Sequence, residues 1–217
     1  MVAVGIGLAW GRGGMLVLGQ GVFFGLGGYI MAMHLKLSDA GPGGVPDFML
    51  LYGDGTVPGW WEPFRDPVVT VLAILVLPAL VATLLGLAVF KRRVRGGVLR
   101  DPVAGARRRV RHPARRAAEG HRRHQRLNGF QSFFGFTLSD PVNKRMLYFI
   151  AAGVLLLMVL TVRLIMGSRY GELLVAVRDQ ENRVRFLGYD PAVVKTVAYA
   201  VAACFAAIGG ALFTPVV

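Results

Sequence analysis

The chain has 217 residues, of which 54% are hydrophobic and 17% charged, and its mean hydropathy is +0.53. In soluble domains roughly a quarter of all residues are charged, so this composition argues against a soluble globular enzyme and against a disordered chain. A single cysteine, Cys204, excludes a disulfide framework and a cysteine-based zinc site. These properties predict an all-α membrane protein that crosses the bilayer several times.

Four apolar segments approach or exceed the roughly 20 residues that a membrane-spanning helix needs. The first, from about Met15 to Leu35, is rich in glycine, and the second runs from Pro67 to Phe90. The third runs from Met146 to Met166 and the fourth from about Val193 to Phe213. The stretch Val2 to Trp10 is too short to span and is interpreted as the tail of a helix whose beginning is missing.

The net charge of +13 is concentrated in one arginine-rich block, residues 91–126. The block holds 14 of the 25 bases and two of the 12 acids, so the rest of the chain is nearly neutral. Its histidines, His112, His121 and His124, have no cysteine or acid at ligand spacing beside them, and we predict no metal site. Because each central arginine costs about 2.5–3.5 kcal/mol in a bilayer, the block as written does not span.

The distribution of bases among the short loops predicts the orientation of the chain. The loop 36–66 has five acids against two bases, and Trp60 and Trp61 stand where an interfacial aromatic belt would lie, so this loop is predicted to be external. The bases of residues 91–95 and of residues 169–185 are predicted to be cytoplasmic. One predicted span alone separates these two basic stretches, so a further crossing is needed between about Arg95 and Met146.

The segment 171–191 combines apolar residues at near-helical spacing with charged residues between them, and Gly188 is placed to end the helix. The apolar positions are Leu173, Leu174, Val177, Val184 and Leu187. Two interpretations follow from this pattern: a contact surface through which a partner acts on the membrane helices, or a helix lying along the lipid headgroups.

Three stretches resemble the LivM-type permeases of the branched-chain amino acid ABC transporter family. They are the coupling stretch, the glycine-rich residues 13–29 and the small-residue stretch 206–212. The coupling stretch consists of residues 176–183, which read Ala-Val-Arg-Asp-Gln-Glu-Asn-Arg, together with Gly188 and Tyr189. Residues 182–191 are most similar to the urea-uptake branch. The resemblance implies a partial LivM-like bundle in a single membrane domain, 1–217, with four recognisable spans and the basic block in place of a fifth.

The resemblance implies a permease subunit that forms the solute pathway with a sister permease in the bacterial inner membrane. Cytoplasmic ATPase subunits would bind the ATP, a periplasmic binding protein would deliver urea or branched-chain amino acids, and the chain would need no cofactor of its own. The segment 167–191 would be the cytoplasmic coupling loop. Its ATPase-coupling residues would be Glu172, Ala176, Arg178, Asp179, Glu181, Asn182, Arg183, Arg185 and Gly188. The helix nearest the pathway would carry Gly19, Gln20, Phe23, Phe24, Gly28 and Tyr29.

Relatives in this family have a membrane helix where this chain has the basic block. We hypothesise that residues from about 97 to 126 are read in a shifted frame, because CGN arginine codons displaced by one nucleotide encode Gly, Ala, Val, Asp or Glu. A shifted reading restores an apolar helix of spanning length before Leu127. A nucleotide sequence without a pair of compensating shifts would exclude this hypothesis.

Two other classes of protein stay open. A true polybasic loop would attract anionic lipid or bind nucleic acid without specificity, although residues 91–126 have no aromatic side chain for stacking on bases. A secondary transporter would work without an ATPase, but such carriers usually place carboxylates at membrane depth, and the four predicted spans contain none. The sequence has no Walker A, GxSxG or HExxH motif, so we predict no catalytic residue.

Overall fold

The computed structural model describes residues 1–15, 17, 19–41, 43–46, 49, 57–91, 132–133, 136–137 and 141–216. Within this part of the chain the fold is all-α, as predicted, apart from one pair of two-residue strands. The α-helices are α1 (Val2–Ile6), α2 (Gln20–Asp39), α3 (Pro67–Lys91), α4 (Pro141–Gly167), α5 (Arg169–Phe186) and α6 (Pro191–Phe213). A π-helix, Gly7–Arg12, continues α1, and the 3-10 helices are Glu62–Arg65 and Thr214–Val216. The strands β1 (Ser132–Phe133) and β2 (Phe136–Thr137) pair antiparallel, with Ser132 opposite Thr137.

Three helical stretches are long and apolar enough to cross a membrane: Pro67–Lys91, Val142–Gly167 and Pro191–Val216. They correspond to the second, third and fourth spans predicted from the sequence, and these three predictions are confirmed.

The first predicted span, from about Met15 to Leu35, differs from the structure. Its helix, α2, begins only at Gln20, after Gly19 has adopted a left-handed conformation with φ of +94°. The helix is long enough to cross a bilayer, but it is not among the stretches that are sufficiently apolar. Its glycines add little hydropathy, and polar residues such as Gln20 and His34 lower it further.

Helix α6 is the centre of the bundle, since half of its apolar window is buried within the chain, against 22% for α3 and 6% for α4. Helix α2 meets α6 with almost no side-chain layer between them. A Cβ atom at Gly27 would overlap the carbonyl oxygen of Ala207, and one at Gly210 would overlap the carbonyl oxygen of Phe24. Small residues allow this close approach. The resulting van der Waals contacts hold the helices together, because the hydrophobic effect does not drive helices to associate within lipid.

Contacts along α6 show the directions of its neighbours. The rings of Phe90 and Tyr199 have centroids 6.3 Å apart, and the Cys204 Sγ lies 3.6 Å from the carbonyl oxygen of Leu75, so α3 runs antiparallel to α6. We call the end of the bundle where α3 finishes and α6 begins the coupling end, after the predicted coupling segment that lies there, and the opposite end the loop end.

Helix α2 runs parallel to α6, from the coupling end to the loop end. The Phe23 ring lies beside Tyr199, with centroids 5.7 Å apart. Further along both helices, the Thr214 hydroxyl donates to the carbonyl oxygen of Gly28 at 3.1 Å.

Helix α4 runs from the loop end to the coupling end. Leu147 belongs to a buried cluster with Ile30 and Ala211, whereas Met166 packs against the cluster around Leu174. Helix α3 finishes at the coupling end, whereas α4 begins at the loop end. The chain must therefore pass from one end of the bundle to the other between these helices, as the distribution of charges among the loops also indicated. The basic block, and with it the shifted-frame hypothesis, lies outside the described residues except for Lys91.

Arg65 holds the turn that follows α2 at the loop end. Its guanidinium group donates to the carbonyl oxygens of Gly41 at 2.7 Å and Gly44 at 2.8 Å. The two tryptophans that we expected at the interface differ in burial: Trp60 is 62% exposed, but Trp61 is 6% exposed and packs against the end of α2. Trp61 is therefore part of the core.

Candidate functional site

The predicted coupling segment, 167–191, joins two spanning helices and consists mainly of α5. Ser168 has an extended backbone, which separates α5 from α4. At the other end, Gly188 has a φ of +89°, and the Tyr189 amide donates to the carbonyl oxygen of Val184 at 3.3 Å. This is a Schellman-type helix end, so the prediction that Gly188 ends the helix is confirmed.

The apolar face of α5 is buried against the bundle. Leu174, Val177 and Val184 are 0%, 1% and 3% exposed and share a cluster with residues of the Gly7–Arg12 helix and of α6. Leu187, the last apolar position of the pattern, does not share this burial and is 75% exposed. Leu187 lies past the last helical residue and no longer follows the helical periodicity.

The predicted ATPase-coupling residues divide into two groups. Two side chains, Glu181 and Arg185, are half-buried. The exposed ones are Glu172, Ala176, Arg178, Asp179, Asn182, Arg183 and Gly188. Between the two halves of α5, Gln180 has non-helical dihedrals (φ −146°, ψ 71°), so the helix bends in the middle of this surface.

Arg178 connects α5 to the segment that leads into α2. Its Nε donates to Asp179 Oδ1 at 2.8 Å, and its Nη1 donates to the carbonyl oxygen of Gly11 at 3.2 Å. The hydrogen bond with Arg178 lowers the pKa of Asp179. The aliphatic part of Arg178 covers Gly14, which has a φ of +62° and no room for a Cβ atom.

Glu181 connects α5 to the start of α6. Its carboxylate accepts hydrogen bonds from Arg185 at 2.6 Å and from Lys195 at 2.7 Å. The hydrogen bond from Lys195 is the largest cause of the lowered pKa of Glu181. Glu181 and Arg185 therefore help to hold α5 in place, in addition to any contact with a partner.

The sequence analysis did not predict two contacts between α5 and α6, one made by Tyr170 and one by Lys195. The Tyr170 hydroxyl donates to the carbonyl oxygen of Val194 at 2.8 Å, and burial raises the pKa of Tyr170 to about 12. The phenol therefore stays protonated, and able to donate, throughout the physiological pH range. Both contacts cross from α5 to α6, so helical periodicity within one segment carries no signal for them.

The ion pairs of Glu181 should make the fold less stable in acid. Since the pKa of Glu181 is lowered from 4.5, its stabilising effect is present above that pH and is lost as the pH falls through the folded-state pKa. The side chain is 39% exposed, so solvent keeps the effect small. We expect the melting temperature in detergent to fall between pH 6 and pH 3 by less in Glu181→Gln than in the wild type. Glu172→Gln, at an exposed position of the same helix, should retain the wild-type pH dependence; a matching loss there would contradict the role of Glu181.

The predicted pathway residues lie on more than one face of α2. Phe23 is buried against α6 at 1% exposure, and Gln20, one turn earlier, is 5% exposed. Phe24 and Gly28 are half-buried, and the Phe24 ring lies 5.6 Å from that of Phe213. The remaining two are at the surface: Tyr29 is 53% exposed, and Gly19 precedes the helix.

Gln20 has a buried amide whose oxygen and nitrogen make no hydrogen bond to the part of the chain that the structure describes. A buried amide without a partner costs about 1–3 kcal/mol. Among the predicted pathway residues, Gln20 is thus the one with a buried polar group that has no partner in the described part of the chain, and it lies at the coupling end of α2.

The family model for the permease component of the branched-chain amino acid transport system matches residues 108–216. This range is half of the chain, begins inside the basic block and includes all of α4, α5 and α6. No curated protein and no solved structure matches the chain. The family is one of transport components and not an enzyme class. With its apolar helices of spanning length, the chain is a multi-pass membrane protein and belongs to the branched-chain amino acid transport system permease family.

Proposed function

We propose that this chain is the permease subunit of an ATP-driven importer for urea, or for branched-chain amino acids, in the bacterial inner membrane. A sister permease completes the solute pathway, cytoplasmic ATPase subunits supply the energy, and a periplasmic binding protein delivers the solute. The observation that carries this proposal is the placement of α5. It lies between two spanning helices at one end of the bundle, with its apolar face buried and most of its charged residues exposed.

The anchoring of α5 suits a segment that transmits force. Leu174 and Val177 are fully buried, and Glu181 is paired with Lys195 near the start of α6. An ATPase that displaces α5 would therefore displace the start of α6, which is the central helix of the bundle.

A second connection leads from α5 to the proposed pathway helix. Arg178 is bonded to the carbonyl oxygen of Gly11 and packs on Gly14, while Met15 is buried in the same cluster as Leu174. These residues directly precede α2 in the chain. Motion of α5 would thus reach the N-terminal end of α2, where Gln20 is buried.

The similarity of residues 182–191 to the urea-uptake branch supports urea as the solute. The Gln20 amide would match a small amide as donor and acceptor once a movement of α2 exposed it, since its oxygen and nitrogen are buried without a partner among the described residues. An aliphatic amino acid would need an apolar pocket as well as groups for its two charges.

The test is uptake into vesicles containing this chain, its sister permease, the ATPase subunits and the binding protein. We expect ATP-dependent uptake of radiolabelled urea that excess leucine does not reduce. Uptake of leucine without uptake of urea would transfer the solute assignment to branched-chain amino acids and keep the permease role. Uptake of neither solute by a complex with ATPase activity would contradict the proposed function.

A further inference from the structure

A cavity of about 350 Å³ lies at the coupling end, where α3 finishes and α6 begins. Phe90 and Lys91 line it from α3, and Arg185, Tyr189 and Asp190 line it from the end of α5 and the following turn. Two helices of spanning length terminate at this cavity, so it lies at the level where the hydrocarbon core of a bilayer meets the headgroups.

The charges at the cavity are net positive. Arg185 shares the Glu181 carboxylate with Lys195, and these three residues carry one net positive charge. Lys91 and Asp190 also line the cavity and carry opposite charges, but the Asp190 carboxylate already accepts from the Ala192 amide at 2.9 Å, which caps the first turn of α6. An anion with several acceptor oxygens fits this arrangement.

The rim of the cavity is apolar as well as basic. Tyr189 is 55% exposed, and the neighbouring Phe186 and Leu187 are 90% and 75% exposed. Aromatic residues with a polar tip are favoured at membrane interfaces. Cations next to exposed apolar side chains suit an amphiphile with an anionic head better than a soluble anion.

We propose that this cavity binds the phosphate headgroup of an anionic phospholipid. The Lys91 ammonium and the Arg185 guanidinium groups donate to the phosphate oxygens, and the acyl chains lie in the bilayer beside α3. Such a lipid joins the end of α3 to the end of α5, two elements that a coupling movement would displace. This inference goes beyond the transport function and is independent of the transported solute.

Lys91→Gln tests the proposal in the purified full chain, delipidated in a neutral detergent and titrated with phosphatidylglycerol or phosphatidylcholine of equal chain length. A base near the surface contributes about 1 kcal/mol of attraction to anionic lipid, so we expect the affinity for phosphatidylglycerol to fall by about fivefold. Lys91→Arg should retain the wild-type affinity. The matched control is Lys144→Gln, which removes an exposed lysine at the loop end of α4 and should leave the affinity unchanged.

Three outcomes would overturn the proposal. A loss in Lys144→Gln, or in Arg95→Gln within the same arginine-rich block, equal to that in Lys91→Gln would assign the binding to general charge. Equal affinities for phosphatidylglycerol and phosphatidylcholine would exclude recognition of the headgroup charge. Binding of inorganic phosphate alone, with the same dependence on Lys91, would identify a site for a soluble anion. Far-UV circular dichroism of each variant shows that the fold is retained.

Discussion

Replacing Gly27 with alanine should destabilise the bundle by about 2–3 kcal/mol, although alanine is the better helix former. The added Cβ atom would overlap the carbonyl oxygen of Ala207, which belongs to the backbone of α6 and has no rotamer that could move it away. The two helices would have to separate along their closest contact. The membrane helices would then lose the van der Waals contacts that hold them together.

The experiment compares thermal unfolding of the purified chain in detergent for Gly27→Ala and Gly25→Ala. Gly25 lies on the same helix, is exposed, and has open space where its Cβ would be. At that position only the gain in helix propensity remains, at most about 1 kcal/mol of stabilisation. The two alanine variants should therefore shift the melting temperature in opposite directions.

The reciprocal variant tests the same contact from the other helix. Gly210→Ala should be as damaging as Gly27→Ala, since its Cβ would overlap the carbonyl oxygen of Phe24. If Gly27→Ala and Gly25→Ala raise the melting temperature alike, α2 and α6 do not pack backbone to backbone.

Hydropathy and periodicity predicted the helices that can be recognised from the residues of a single segment. The runs that form α3, α4 and α6 are apolar over a length that only a spanning helix explains. The face of α5 was predicted through Leu174, Val177 and Val184 because burial of one stripe imposes helical spacing on the sequence.

The contacts between elements could not be predicted in this way. Helix α2 contains several glycines, and the sequence does not show which of them faces α6: Gly21 has open space around it, whereas Gly27 touches Ala207. Likewise, Glu181 and Lys195 are 14 residues apart and meet only because the chain reverses between α5 and α6. Trp61 was expected at the interface, but the turn after α2 places it in the core.

Replacing Ala176 with arginine should uncouple ATP hydrolysis from transport, if α5 is the surface on which the ATPase docks. Ala176 is exposed and lies between the exposed residues Glu172 and Arg178, so a long charged side chain there would stand amid the exposed residues of the first half of α5. Central positions dominate the energetics of protein interfaces, and a loss of about 2 kcal/mol corresponds to roughly a 30-fold weaker complex. The bundle itself should change by less than about 0.5 kcal/mol, since an exposed helical position tolerates arginine.

The measurements are the amount of ATPase subunit that copurifies with the permease and the rate of ATP-dependent solute uptake. Both should fall by at least about tenfold in Ala176→Arg. Ser38→Arg is the control, because it adds the same side chain at an exposed position of the loop end, far from α5. Its ATPase binding should equal that of the wild type.

The combination of results separates the two interpretations of α5. A normal melting temperature with lost ATPase binding means that the exposed face of α5 is a docking surface, and that the force it receives passes through Leu174 and Glu181 into α6. Unchanged ATPase binding and uptake in Ala176→Arg would contradict docking at this face. In that case the buried stripe and the ion pairs would describe a helix that lies along the headgroups, where an added arginine is tolerated because its charge faces water and anionic lipid.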